Sequence, residues 1–254
     1  MAEEEQKSTV VAAIFNRYSA AAALIGLLIT TVGYYHFLDD KVDRLVSKRL
    51  EPYQLLLSGV ASNQGEDYDE AVAVLSQALK KFDSESTSAE TTNLANDALL
   101  FAIVNSSSPH KYSPEFQKIS ARIGPQVGES PWRSLQQGWF YLRIGNSSKA
   151  KEYLTQSLQF YDSGHERKQG AAALRGLMLV SLAEGDASQA YKYLAQAAER
   201  SPLDSDIDMV AKDISSWPSD GIMSQLQGLY GDKFTTALHS LEAVLAKRPK
   251  DKKA

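Results

Sequence analysis

The chain of 254 residues contains no cysteine. That excludes a disulfide framework, a thiolate metal site and a cysteine nucleophile. It leaves the compartment open, because a cysteine-free chain suits reducing and oxidising surroundings alike. A concentrated basic face is missing too. Residues 51–246 carry 16 Lys and Arg against 24 Asp and Glu, and phosphate backbones need clustered cations, so nucleic acid is not expected as the main ligand. Histidine is scarce: His36, His110, His165 and His239 stand in separate elements without metal spacing. His165-Glu166 has no second histidine four residues on, which excludes a helical zinc-protease pair. Neither a Gly-rich phosphate loop ending in Lys-Ser/Thr nor a Gly-x-Ser-x-Gly elbow occurs. Asp204, Asp206 and Asp208 open like a calcium loop, but Met209 and Ser215 stand where that loop needs Gly and Glu. They read instead as the cap and first turn of a helix after Pro202. No catalytic residue, metal, cofactor or small-molecule substrate is expected.

One absence is of charge. Ala20 to Leu38 reads AAAALIGLLITTVGYYHFL, with no Asp, Glu, Lys or Arg. Nineteen helical residues span roughly 28 Å, the hydrocarbon thickness of a bilayer. Tyr18 and Tyr34-Tyr35-His36 flank the run as interfacial aromatics. The exit Tyr-Tyr-His-Phe-Leu-Asp-Asp lacks the small residues of a cleavage site, so an uncleaved anchor is expected rather than a signal peptide. A buried core helix seldom sustains so long an uncharged run. Counting Lys and Arg alone slightly favours the C-terminal side inside. Against this, an N-terminal anchor before a large domain normally exports that domain in bacteria, and Asp39-Asp40 suits an outer face. The expected arrangement is N-terminus in, body out. Beyond the span, apolar residues at 38, 42, 45, 46 and 50 form a helical stripe, too short to specify a coiled coil.

What is present is a repeat. From Pro131 to Pro202 a pattern of about 40 residues appears twice. The first copy contains Gly138, Tyr141, Gly145, Ala150, Leu154 and Ser157; the second contains Leu177, Gly185, Ala190, Leu194, Ala197 and Pro202. In each, one helix ends at a Gly turn and a second starts with Ala at the same offset. Residues 51–82 carry a further copy, with Gly59, Gly65, Tyr68-Asp69-Glu70-Ala71, Leu75 and Ala78. Between them, amphipathic segments at 91–104 and 114–123 fill the room of one degenerate unit. A last unit turns at Gly231 and places Ala237, Leu241, Val244 and Pro249 where Ala190, Leu194, Ala197 and Pro202 stood. Its polar final helix suits a terminal repeat with one face lacking a neighbour.

These residues resemble the tetratricopeptide repeat (TPR) family. More narrowly, the chain is similar to single-span bacterial members anchored in the inner membrane, those of the Sec translocon and of cytochrome c maturation among them. The resemblance implies an all-α fold: one transmembrane helix followed by a TPR-like α-solenoid of about five helical hairpins. The expected organisation is a tail over 1–18, a membrane helix over 19–38, a helical stalk over 39–50, a repeat domain over 51–249 and a basic tail over 250–254. It further implies a cell inner membrane protein with its repeats on the periplasmic side. It would act as a non-catalytic scaffold or chaperone holding a protein partner. A permanent structural or assembly subunit of a larger membrane complex is the alternative. In the family, the first helix of each repeat lines a groove. Mapped onto this chain, the groove residues would be Trp132, Gln136, Trp139, Arg143, Arg175 and Leu179, with Leu135, Leu142 and Leu182 beside them. Trp and Arg are the side chains that dominate interface energies. Packing between repeats is the competing role for the two tryptophans.

Overall fold

The computed structural model describes residues 37, 41–43, 45–84, 87–124, 130–163, 170–200 and 222–247. Among them there are helices and turns but no strand, so the fold class is all-α. Several expectations fall on other residues: the tail over 1–18, His36, His165, the helix after Pro202 with its three aspartates, and the tail over 250–254. The span over 19–38 also lies outside the described residues, apart from Phe37. Among the described residues no helix is long and apolar enough to cross a membrane.

The chain divides into two units, Met1–Gln54 and Leu55–Ala254. In the first, the described residues are helical, and Val42, Leu45, Val46, Leu50 and Tyr53 are each between 43% and 55% exposed. The second begins with helical residues 55–64, here α1. It continues through α2 (Tyr68–Ser84), α3 (Ala89–Asn105), α4 (Ser113–Ile123), α5 (Pro131–Arg143), α6 (Ser147–Ser163), α7 (Ala171–Ala183), α8 (Ala187–Arg200) and α9 (Ile222–Ala246). A short 3₁₀ turn, Pro109–Tyr112, leads into α4.

Three hairpins, α1–α2, α5–α6 and α7–α8, are built by the same few devices. In each the turn is a left-handed residue that caps one helix, followed by a side chain that caps the next. After α5, Gly145 (φ +86°) and Asn146 donate their amides to Leu142 O and Tyr141 O at 3.2 and 2.8 Å. Asn146 Oδ1 then accepts from Lys149 N at 3.1 Å. Forty residues later Gly185 (φ +80°) and Asp186 repeat every bond, with Asp186 Oδ1 accepting from Gln189 N at 2.9 Å. The turn between α1 and α2 differs. Its left-handed residue is Glu66 (φ +62°), one position after the expected Gly65, while Asp67 caps α2. A side chain in that region costs about 1–2 kcal/mol.

Helices touch where one is small. A Cβ on Gly59 would lie 2.4 Å from Leu75 Cγ, and one on Gly138 would lie 2.5 Å from Leu154 Cγ. Both pairs sit 79 residues apart, as do Ala71 and Ala150, each fully buried. The spacing recurs, to within one residue, in charge. Arg122 bonds Asp83 at 2.5 Å, and Arg200 bonds Asp162 at 2.5 Å, each tying the end of one hairpin to the end of the following one. Thus α1–α4 and α5–α8 are two copies of one four-helix plan.

The departures lie in the middle and at the end. α3 packs against α2, α4 and α5; Leu100 is buried, while Leu94 in its first turns is 57% exposed. In α9, Gly231 (φ +65°, ψ −150°) breaks the helix at the expected turn. Ala237 and Leu241 are buried as Ala190 and Leu194 are, but Val244 is 48% exposed where Ala197 is fully enclosed. Among the described residues nothing stacks on that side, and the apolar face of the last helix stays partly open.

Candidate functional site

The first helices of successive hairpins share a face. There α3, α5, α7 and the start of α9 enclose a cleft of about 300 Å³, lined by Phe101, Val104, Asn105, Leu135, Gln136, Trp139, Arg143, Ala172, Arg175 and Ile222. Four of the six expected groove residues (Gln136, Trp139, Arg143 and Arg175) are therefore brought together on its wall. The other two are not. Leu179 is fully enclosed in the core, because one turn beyond Arg175 the α7 helix is covered on all sides. Trp132 packs instead against the apolar cluster of α1–α4, the competing role weighed for it. Leu142 and Leu182 are likewise fully buried. Trp139 touches the apolar clusters of both halves, so it is a wall of the cleft and a seam of the core at once.

Arg143 is held rather than displayed. It is 5% exposed; its Nη1 donates to the Val104 carbonyl, and its Nε and Nη2 donate to Gln225 Oε1 at 3.2 and 3.0 Å. A buried guanidinium must fill its donors, and these bonds join α5 to α3 and α9. Tyr230 closes the same corner, donating its hydroxyl to Leu142 O at 3.0 Å. Burial pushes that phenol up to about 12.

A second cavity of about 510 Å³ adjoins the first, sharing Asn105, Arg143 and Ile222. Its remaining lining is polar: Glu66, Asp67, Tyr68, Asp69, Ser106 and Ser107. Asp69 accepts from Tyr112 Oη at 2.5 Å and from Ser107 Oγ at 2.9 Å. The Tyr112 bond, above all, holds its carboxyl below the ordinary value against the opposing effect of burial. Burial first, and then the same bond, pushes the Tyr112 phenol up to about 12.

Sequence reasoning missed this acidic cavity. The residues Asp67 and Asp69 were visible only as a helix start, and nothing local announces that they face Asn105 and Arg143. Arg133 was missed as well: 8% exposed, it meets Asp97 through Nε and Nη2 at 2.8 and 3.0 Å and clamps α5 to α3 behind the cleft. Among the described residues no group of three or more His, Cys, Asp or Glu side chains is placed to hold a metal ion. The arrangement offers an apolar trough with hydrogen-bond donors at one end and carboxylates beyond them. Compared with protein-family models, curated proteins and solved structures, the chain matches none.

Proposed function

We propose that the chain is a membrane-anchored, TPR-like scaffold or chaperone-like protein that holds a segment of a protein partner without catalysing a reaction. The supporting observation is the cleft on α3, α5 and α7, where an aromatic, aliphatic and guanidinium lining converges in a concave surface. Apolar walls with a few fixed polar groups are the usual make-up of a binding site. Trp and Arg at its centre are the residue types from which hot spots are made. The uncharged run over 20–38 supplies the anchor in this reading, with the N-terminus inside, in a bacterial inner membrane, and the repeats on the periplasmic side.

The test uses the full chain, purified in mild detergent after crosslinking in cells. Ala172→Phe fills the cleft and Arg175→Ala removes one of its donors. Recovery of the crosslinked partner is expected to fall about tenfold with the double variant, whose fold is checked by its melting curve. Recovery equal to that of the parent removes the cleft as the binding site.

A second reading, a permanent subunit of a larger membrane complex, is favoured by the exposed stripe Val42, Leu45, Val46, Leu50 and Tyr53 in the first unit. A row of large apolar side chains on one helix is a common docking face. Fixed stoichiometry on detergent purification would select it.

A further inference from the structure

Building on the partner-binding reading, we infer that the occupant is an extended protein segment in which a large apolar side chain is flanked by Lys or Arg. The two adjoining cavities differ in chemistry and share a wall, so one strand of chain passing Asn105 and Arg143 enters both. The first takes an apolar side chain between Phe101, Leu135 and Trp139. The second presents Glu66, Asp67 and Asp69. Their partners leave the negative charge in place: Asp69 is held by two hydroxyl groups, and Asp67 accepts the amide of Glu70 at 3.3 Å. Arg143 stands at the junction, fixed by Val104 and Gln225. Arg175 lines the apolar trough but not the second cavity, and its charge there repels a cation, leaving the carboxylates of the second cavity as the cation's place. The wider surface agrees in sign, since residues 51–246 carry 24 acidic against 16 basic side chains.

The test measures anisotropy of four labelled peptides of ten residues on the full chain in detergent. One combines Leu and Phe with Lys and Arg. In the second the basic residues become Glu, in the third Gln, and in the fourth the Leu and Phe become Ser. The apolar-basic peptide should bind about tenfold tighter than its Gln counterpart, tighter still than the Glu one, and more weakly as salt is raised. The triple variant Glu66→Gln, Asp67→Asn, Asp69→Asn should erase that preference and leave the Gln peptide unaffected. Asn still caps a helix and still accepts from a hydroxyl, so the variant keeps the local bonds. Ala172→Phe should weaken the apolar-basic and Gln peptides alike. Equal binding of the Lys/Arg and Gln peptides, or preference unchanged in the triple variant, overturns the charge assignment while the cleft survives. Binding of the Ser peptide as tight as its parent, or of no peptide at all, overturns both the inference and the reading on which it rests.

Discussion

Tyr230 shows how one hydroxyl makes stability depend on pH. Its phenol ionises at about 12 in the folded chain and at 10 when exposed. The folded form therefore holds the proton more tightly. The stabilisation is complete below pH 10 and is lost as pH rises toward 12. Tyr112 acts in the same window and in the same sense, through burial and its bond to Asp69. Tyr230→Phe is expected to fall less steeply in stability between pH 10 and 12 than the parent, measured by urea midpoints across that range. An unchanged slope would show that Tyr230 is as free in the folded chain as in the unfolded one. Residue by residue, the small positions were the legible ones. Ala71, Ala78, Ala150 and Ala190 are all fully enclosed, as their periodic spacing indicates. Arg143 was placed in the right cleft but for a different physical reason: a buried arginine must be satisfied, and its acceptors come from residues 39 and 82 positions away.

Between elements, Arg133 and Asp97 form a two-bonded pair that joins α5 to α3. Arg133 is nearly enclosed, whereas the Asp97 side chain keeps 31% exposure, so the pair lies between the buried and the surface limits. Asp97→Ala should cost about 2 kcal/mol, more than Arg133→Met, because it leaves a nearly enclosed guanidinium without that carboxylate, whereas the partly exposed Asp97 can turn to water. A double-mutant cycle read by chemical unfolding should give a coupling of about 1 kcal/mol. Independent, additive losses would mean that the pair does not hold α3 to α5. Hairpins such as α5–α6 and α7–α8 were readable because turn, cap and small-residue contact all fall within 40 residues and agree. The degenerate pair α3–α4 was readable as helices but not in facing: enclosure on several sides blurs the period that an amphipathic helix shows. The acidic cavity was not readable, since it is made by the α1–α2 turn meeting the end of α3, and no local pattern encodes that meeting.

At the scale of the whole molecule, the proposed topology places residues 55–254 across the membrane from the N-terminus. Alkaline phosphatase fused after Ala254 should then be active in a bacterial host, and a cytoplasmic reporter at the same point should be silent. The reverse pair of results puts the repeats in the cytoplasm. One side chain bears on the whole array. Leu154 of α6 lies against Gly138 of α5 on one side and against Gly176 of α7 on the other, where an added Cβ would stand 2.8 Å from it. Those same two helices both line the cleft. Leu154 is thus a gauge block set behind the opening: its bulk dictates how far apart the walls stand, although it touches nothing that enters. Exchanging Leu154 for a smaller residue should therefore narrow the aperture while leaving every lining side chain as it was.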